Sequence, residues 1–294
     1  MVMLKFIKMN GCGNDFIVID GISEELKFSD HMLAELAKKM CNRHFGVGAD
    51  GIILILSSIS KNADFRMRIF NADGSEAEMC GNGIRCAAKY FWERIGRSNY
   101  MKVDTMAGLL PVFLEIGEST MPRVEVDMGI PRFKTKEIPI LWGNSESLLD
   151  VDLDLHDIGS LRISAVNTGV PHTVVFVDDV DSVDVRTVGR ALRYHKLFPK
   201  GTNVDFVEVL SNNHLKVRTY ERGVEDETLC CGTGATAAAS IAILLGKVKK
   251  NKEIKLEFRG GILYLRARSE GKELRGLTMI GTASKVFEGV YNPD

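Results

Sequence analysis

Two segments of the 294-residue chain share one unusual pattern, and this doubling constrains the fold more than any other feature. "EMCGNGIRCAAKYFWERIG" begins at Glu78, and "LCCGTGATAAASIAILLG" begins at Leu229. Each reads Cys-Gly-x-Gly, then small residues, an apolar stretch and a closing glycine. Three further pairs of segments match in the same order: 13–20 with 169–179, 46–55 with 201–210, and 65–71 with 215–221. A fixed series of four matches predicts a duplication, with two similar domains related by an approximate twofold.

Each predicted domain consists mostly of short strands and two helices. The segments 65–71 and 215–221 alternate apolar and basic residues, which is typical of half-buried strands. Helices are predicted over 30–43, with Asp30 as the cap, over 185–198, and after each Cys-Gly-x-Gly. The helix after Cys80 should bury one face and stop at Gly96. The helix after Cys231 is apolar nearly all round, so strands should surround it on all sides. The acidic stretch 142–160 is interpreted as a surface excursion.

Composition excludes several classes of protein. Hydrophobic residues make up 45% of the chain and charged residues 26%, which is ordinary for a globular protein. The net charge of −1 gives no reason to expect a nucleic-acid or anionic-membrane partner. The first residues lack the apolar core of a signal peptide, and no apolar run approaches the ~20 residues of a membrane span, so a cytoplasmic protein is expected.

The six cysteines are better explained as packing groups or reactive thiols than as disulfides or metal ligands. In a cytosolic-type chain of this size, an even cysteine count is weak support for disulfides. The spacing Cys80-x5-Cys86 and the adjacent pair Cys230-Cys231 do not match zinc sites, so no metal is predicted. Cys12, Cys41 and Cys86 are interpreted as structural.

A cysteine at the start of a helix suits acid–base chemistry. Helix N-termini stabilise negative charge, so the pKa of Cys80 and of Cys231 is predicted to be lowered. If the two domains face each other, both thiols converge on one pocket. A base on one face of a carbon and an acid on the other can invert that carbon, and an α-amino acid fits because the helix starts can hold its carboxylate.

The motifs resemble those of the diaminopimelate epimerase family over nearly the whole chain. The matching segments are "KMNGCGNDFIVID", "RHFGVGADG", "FNADGSEAEMCGNGIRC", "GTNVDFVEV" and "YERGVEDETLCCGTGATAA". The resemblance implies an α/β fold of the α+β type. It has two pseudo-symmetric domains, each with a mixed, barrel-like sheet wrapped around a central helix. The expected domains are 1–128 with 278–294, carrying the first thiol, and 129–277, carrying the second.

The resemblance also implies an activity and its residues. The family interconverts LL- and meso-2,6-diaminopimelate without pyridoxal phosphate or metal, on the route to lysine and cell-wall precursors, and its members are often homodimers. Cys80 and Cys231 match the catalytic thiols, one removing the α-proton while the other donates. The substrate contacts carry over to Asn14, Asn71, Gly81, Asn82, Asn203, Glu221, Arg222, Gly232 and Thr233. His172 and Asn167 are possible accessory groups.

The chain departs from the family pattern at several positions. Val170 stands where many members have asparagine, so one distal contact is lost or is replaced by Asn167. Gly51 stands where many have glutamine, the loop 223–228 is one residue longer, and Cys230 replaces a small residue. Three alternatives stay open: a proline or hydroxyproline racemase of the same fold, a thiol redox protein, and a binding module without catalysis.

Overall fold

The chain forms two compact units. The computed structural model describes residues 3–24, 26–117, 122–143, 146–155, 158–271 and 273–293. One unit comprises Met1–Val126 with Gly281–Asp294, and the other comprises Asp127–Ile280. Among the described residues, no helix combines the length and the apolar character needed to cross a membrane.

Among the residues described, the first unit carries eight strands from the N-terminal part of the chain and two α-helices. The strands are β1 (Leu4–Gly11), β2 (Asn14–Asp20), β3 (Gly51–Leu56), β4 (Phe65–Asn71), β5 (Glu76–Ala77), β6 (Tyr100–Thr105), β7 (Gly108–Glu115) and β8 (Arg123–Asp127). Helix α1 (Asp30–Cys41) connects β2 to β3, and α2 (Gly81–Phe91) lies between β5 and β6. The pairs β2–β3 and β4–β6 are parallel, and β1–β2, β3–β4, β4–β5, β6–β7 and β7–β8 are antiparallel.

The N-cap of helix α1 is Ser29, one residue before the predicted cap, Asp30. Ser29, in an extended conformation, accepts a hydrogen bond from the backbone N–H of Met32, at 3.3 Å. Asp30 is the first helical residue, where its negative charge still interacts favourably with the N-terminal end of the helix dipole. Ser29 is the cap because an N-cap residue needs non-helical backbone angles and a side-chain acceptor directed at the second or third helical N–H.

Helix α2 is buried on every side rather than on one face. It contacts β1, β2, β3 and β4, and every residue from Asn82 to Phe91 is buried. Two of these residues are basic, Arg85 and Lys89. Carbonyl oxygens satisfy both: Arg85 Nη1 donates to Gly81 at 3.1 Å, and Lys89 Nζ donates to Ala283 at 2.9 Å. A buried cation is tolerated only when it is hydrogen-bonded in this way.

The helical segment ends at Gly96 as predicted, but Gly96 does not supply the predicted left-handed stop. After Phe91 the chain makes a π-helical turn over Trp92–Gly96, and the left-handed residue is Arg97, with φ 50°. A Cβ on Gly96 would lie 2.3 Å from the Phe91 ring, so this glycine is required by packing rather than by a positive φ.

The second unit repeats the same order of elements. Its strands are β9 (Val151–Asp154), β10 (Ser160–Asn167), β11 (Pro171–Phe176), β12 (Asn203–Ser211), β13 (His214–Glu221), β14 (Asp226–Thr228), β15 (Ile254–Phe258), β16 (Gly261–Glu270) and β17 (Glu273–Gly281). Helix α3 (Val185–Arg193) joins β11 to β12, and α4 (Gly232–Leu244) lies between β14 and β15. The parallel pairs are β11–β12 and β13–β15. They correspond to β2–β3 and β4–β6, so the predicted doubling of the chain extends to its strand pairing.

Helix α4 is surrounded by strands, as its apolar sequence predicted. It contacts β10, β11, β12, β13 and β16, and the residues from Ala235 to Ala242 are all buried. Gly246, with φ 68°, follows the helix in the left-handed conformation that glycine adopts at little cost.

The stretch 142–160 is only partly a surface excursion. Leu148 and Leu155 are buried in the hydrophobic core of the second unit, together with residues of β10–β12 and α3. Residues 144, 145, 156 and 157 lie outside the described part of the chain. The apolar residues between the acidic ones are therefore core groups.

The last strand returns to the first unit. Strand β18 (Ser284–Tyr291) pairs antiparallel with β1. In the described part of the chain, a large mixed sheet with few helices confirms the predicted α+β class of fold. In each unit one helix is enclosed by strands, which places the N-terminus of that helix at a defined point of the sheet.

Candidate active site

Each enclosed helix begins at a cysteine whose thiol caps it. Cys80 has extended backbone angles, and its Sγ accepts from the backbone N–H of Gly83 at 3.5 Å. Cys231 does the same with Gly234 at 3.3 Å. Both thiols therefore occupy one and the same position in their units, the N-cap of the central helix. This is the position where backbone N–H groups lack acceptors within the helix and can bind an anion.

The third residue of each helix is glycine for different reasons in the two units. A Cβ on Gly83 would lie 3.2 Å and 3.3 Å from the terminal methyl groups of Ile69 and Ile53. A Cβ on Gly234 would lie 2.4 Å from Asp205 Oδ1 and 3.2 Å from Thr219 Oγ1. The first helix start is thus packed against apolar side chains, and the second against a buried carboxylate.

In the first unit the Cys80 thiol contacts Asn14, a predicted substrate contact. Cys80 Sγ lies 3.6 Å from Asn14 Oδ1, and Asn14 Nδ2 donates to Asp50 Oδ2. Asp50 also accepts from the N–H of Asp15 at 3.0 Å and from Arg43 Nη2 at 2.8 Å. Asp50 therefore directs the oxygen of the Asn14 amide toward the thiol.

Asp15 belongs to an ion-pair cluster. Lys8 Nζ lies 2.6 Å from its Oδ2, and Arg43 Nη2 donates to its Oδ1 at 2.8 Å. Burial acts to raise the pKa of Asp15, but the hydrogen bonds from Arg43 and Lys8 outweigh burial and lower that pKa to about 2. The carboxylate of Asp15 therefore stays charged, and its contacts with Lys8 and Arg43 stabilise strand β2, which carries Asn14.

The other predicted contacts of the first unit lie at the helix start and at the end of β4. Gly81 and Asn82 are the first two residues of α2, and Asn82 is buried with its Oδ1 accepting from Arg85 Nη2 at 3.0 Å. Asn71 is exposed at the end of β4, beside Gly51, and its Nδ2 donates to Ser75 Oγ at 3.0 Å.

In the second unit Gly232 and Thr233 begin α4 beside the Cys231 thiol. Thr233 Oγ1 lies 3.3 Å from Cys231 Sγ. The backbone carbonyl of Thr233 accepts from Thr168 Oγ1 at 3.0 Å. The loop after β10 thereby holds the first turn of the helix.

A buried polar chain links His172 and Asn203 to a residue that the motifs did not single out. His172 Nδ1 lies 2.7 Å from Asp205 Oδ2, and its Nε2 lies 3.2 Å from Asn203 Nδ2. Asn203 Oδ1 accepts from the backbone N–H of Arg222 at 2.7 Å, and Thr219 Oγ1 donates to Asp205 Oδ1 at 2.8 Å. Asp205 could have been noticed, because it matches Asp50 in the repeated segments 46–55 and 201–210, but in sequence it is one polar residue within an apolar strand.

The remaining predicted residues of this unit lie at strand ends. Glu221 ends β13, where its charge acts on Cys231, and the side chain of Arg222 donates to the carbonyl of Lys200 at 3.1 Å. Asn167 ends β10, and its amide is engaged on both sides, donating to Glu137 O at 2.7 Å and accepting from Gly169 N at 2.9 Å. A role for Asn167 as a replacement substrate contact stays a prediction.

The predicted lowering of the Cys231 pKa is wrong. Burial raises the pKa of the Cys231 thiol well above its ordinary value, and the charges of Glu221 and Asp205 raise it further. The hydrogen bonds from Thr233 and from the N–H of Gly234 act in the opposite direction but are weaker. A helix start favours a thiolate only where the site is not also closed to water and lined by carboxylates.

This pKa has a measurable consequence. We expect iodoacetamide to alkylate Cys231 slowly at neutral pH and faster at alkaline pH, because only the thiolate reacts. Glu221→Gln should move the alkylation profile to lower pH, since it removes a negative charge beside the thiol. Mass spectrometry of the Cys231 peptide measures both profiles. Glu225→Gln, in which Glu225 pairs with Arg193 at 2.8 Å, is the control and should leave the profile unchanged. If the wild type and Glu221→Gln show the same dependence of Cys231 alkylation on pH, the charge of Glu221 does not raise the pKa of Cys231.

Three of the remaining cysteines are buried. Burial raises the pKa of Cys41 and of Cys86 to about 12, which leaves them protonated at neutral pH. Cys230 is 7% exposed and immediately precedes the capping residue. Unlike Cys80 and Cys231, none of these three cysteines is the N-cap of a helix, so we interpret them as packed thiols.

Comparison with solved structures defines the class to which this fold belongs. A phenazine biosynthesis protein of the PhzF family from Bacillus anthracis matches with a TM-score of 0.73 and 18% identity, covering 99% of this chain and all (100%) of that one. A probable proline racemase from Agrobacterium radiobacter, solved with bound carbonate, matches with a TM-score of 0.71 and 15% identity, covering 99% and 93%. The chain thus has the diaminopimelate epimerase-like fold that these proteins share.

Sequence comparison narrows the class to one family. A family model described as diaminopimelate epimerase matches residues 6–134 and 164–286. A diaminopimelate epimerase of Pelotomaculum thermopropionicum is 43% identical over 289 residues, which are 98% of this chain and 99% of that protein. One of Methanocaldococcus jannaschii is 40% identical over 97% of each chain. The chain belongs to the diaminopimelate epimerase family.

Proposed function

We propose that this protein is an isomerase that interconverts LL- and meso-2,6-diaminopimelate without cofactor or metal, in the supply of lysine and cell-wall precursors. The observation that carries the proposal is the pair of capping cysteines. Cys80 and Cys231 occupy the same place in two units of matching topology. Relatives that match nearly the whole chain at about 40% identity are named diaminopimelate epimerase.

The proposed reaction moves one proton at each face of the α-carbon. One cysteine acts as thiolate and takes the α-proton, so that a C–H bond breaks and an S–H bond forms. The other cysteine acts as thiol and donates its proton to the opposite face, leaving a thiolate. The net change is inversion of the carbon, with the two sulfurs exchanging roles, and the reverse reaction begins from the other sulfur. The raised pKa of Cys231 supports its starting as the thiol that donates.

The two helix starts are proposed to hold the reacting carboxylate. As the α-proton leaves, negative charge spreads onto the carboxylate, and backbone N–H groups at a helix N-terminus stabilise that charge. Gly81, Asn82, Gly232 and Thr233 supply the N–H groups of the first turns. The small residues let the substrate approach the backbone closely.

The second amino-acid head of the substrate is proposed to be recognised by polar side chains at strand ends. The planar guanidinium of Arg222 can donate two parallel hydrogen bonds to a carboxylate. The side-chain amides of Asn14, Asn71 and Asn203 can accept from an ammonium group and donate to a carboxylate. Glu221 can accept from an ammonium group. This polar set favours diaminopimelate over proline, which has no second head.

We propose that each domain carries one thiol: Cys80 lies in the domain formed by residues 1–128 with 278–294, and Cys231 lies in the domain formed by residues 129–277.

We further propose that the protein is a cytoplasmic homodimer. Strand β18 supports a dimer, because its apolar residues Val286, Phe287 and Val290 are 58%, 44% and 56% exposed. Sedimentation equilibrium measures the molecular mass and tests this.

Solvent deuterium separates epimerisation from the alternatives. In deuterated water, the enzyme should place deuterium at the α-carbon of diaminopimelate, and inversion should accompany incorporation because each product molecule receives its proton from a thiol equilibrated with solvent. Proton NMR of the α-position and chiral chromatography measure the two quantities. A racemase of the proline type would exchange proline but not diaminopimelate. Oxidation of thiols without any exchange would support a redox protein and contradict the proposal.

A further inference from the structure

The structure assigns to Asp205 a positioning role: it selects the tautomer of His172 and, through His172, fixes the orientation of the Asn203 amide. This inference rests on the proposed function, in which Asn203 binds the distal end of the substrate. Asp205 itself would not touch the substrate.

The relay consists of Asp205, His172, Asn203 and the backbone N–H of Arg222, and its three side chains are held away from water. His172 and Asp205 are 0% exposed and Asn203 is 4% exposed. The strand register brings them together, because β11 pairs in parallel with β12 and places His172 beside Asn203. In such surroundings a mismatched donor or acceptor cannot turn to solvent, so the pattern of protons must be self-consistent.

The two ends of the relay have fixed chemistry. At one end, the Asp205 carboxylate can only accept, and it lies 2.7 Å from His172 Nδ1. At the other end, the backbone N–H of Arg222 can only donate, and it lies 2.7 Å from Asn203 Oδ1. Thr219 Oγ1 donates to the second oxygen of Asp205 at 2.8 Å, so the carboxylate is held from both sides.

Only one arrangement of protons satisfies both ends. The proton on Nδ1 of His172 points at the carboxylate, which leaves Nε2 as an acceptor for Asn203 Nδ2 at 3.2 Å. The amide oxygen of Asn203 then faces the N–H of Arg222. With the proton on Nε2 instead, two acceptors would meet at Asp205 and two donors at Asn203. Turning the Asn203 amide would repair the second contact but would set two donors against each other at Arg222.

The fixed amide presents a defined pattern to a ligand. An asparagine amide has two N–H groups and two lone pairs, and the relay uses one of each. The second N–H and the second lone pair then have set directions, suited to a carboxylate and an ammonium respectively. A turned amide would exchange donor and acceptor. A mispaired hydrogen bond of this kind costs enough to weaken binding roughly tenfold.

The tautomer can be measured directly. In protein labelled with ¹⁵N-histidine, the signals of His172, assigned by their loss in His172→Gln, should report a protonated Nδ1 and an unprotonated Nε2 in the wild-type enzyme. A protonated Nε2 in the wild type would overturn the inference. This NMR measurement of the His172 tautomer needs no catalysis, so its result holds even if diaminopimelate proves not to be the substrate.

The variant Asp205→Asn tests the link to substrate. An amide at position 205 can offer either an acceptor or a donor to Nδ1, so we expect the Nε2-protonated form of His172 to become visible and KM for diaminopimelate to rise about tenfold, with a smaller change in kcat. Thr173→Val is the matched control. It removes a buried hydrogen bond to Thr202, 3.1 Å long, next to the relay without touching it, and both tautomer and KM should stay as in the wild type.

The outcomes separate the two hypotheses. An unchanged tautomer and KM in Asp205→Asn would overturn the positioning role while leaving the epimerase activity intact. Equal rises of KM in Asp205→Asn and Thr173→Val would also overturn it, because the effect would then be general loosening of the strands. Failure of the wild type to exchange the α-proton would contradict the proposed function alone.

Discussion

Replacing either Cys80 or Cys231 by alanine is expected to lower kcat for epimerisation by roughly 10²–10⁴-fold, since each removes one acid–base group. Binding should be affected much less, because the backbone N–H groups of both helix starts remain. Chiral analysis of diaminopimelate measures the rate. Each single variant should still exchange the α-proton of the isomer that its remaining thiol can reach, with retention instead of inversion.

The neighbouring cysteines provide the controls for this prediction. Cys230→Ala and Cys86→Ala remove buried thiols that do not cap either helix, so both variants should keep kcat within a few-fold of the wild type. Unfolding by heat, followed by circular dichroism, checks that all four proteins fold. An inactive Cys230→Ala together with an active Cys231→Ala would show that the second catalytic thiol has been assigned to the wrong residue.

Gly234→Ala is expected to destabilise the second unit and to impair catalysis together. The new methyl group would lie 2.4 Å from Asp205 Oδ1, and this carboxylate cannot move because His172 and Thr219 hold it in a fully buried site. Overpacking of this kind costs about 1–3 kcal/mol. For a domain of this size, each kcal/mol lowers Tm by about 2–4 °C. The shift should also displace the cap and the Cys231 thiol.

Gly83→Ala is the matched variant in the first unit. Its methyl group would meet the terminal methyl groups of Ile69 and Ile53 at 3.2 Å and 3.3 Å, and these can rotate away. Alanine also gains up to about 1 kcal/mol over glycine inside a helix. Tm should therefore change little. Equal losses of Tm in the two variants would contradict the asymmetry between the two helix starts.

This asymmetry distinguishes two thiols that the repeat makes look alike. Behind Cys80 the helix start packs against isoleucines, and the Asn14 amide contacts the sulfur. Behind Cys231 lie a buried carboxylate and its hydrogen-bonded partners. The second thiol therefore holds its proton more strongly than a cysteine at a helix N-terminus ordinarily does.

The duplicated architecture could be predicted because its signals are local and occur twice. Alternating strands, a Cys-Gly-x-Gly loop and an apolar helix each depend on residues a few positions apart, and their repetition in the same order identified both units and both capping thiols. Two helix ends differ from the prediction by one residue: the left-handed residue is Arg97 rather than Gly96, and the cap is the Ser29 hydroxyl rather than Asp30.

By itself the sequence determined the order of elements, the presence of two matching units and the place of each thiol at a helix start. Only the tertiary structure decided that Asp205, Thr219 and Gly234 meet, that Arg85 and Lys89 are buried against carbonyls, and that the pKa of Cys231 is raised. The reason is physical: these properties depend on strand register and on exclusion of water, which join residues distant along the chain.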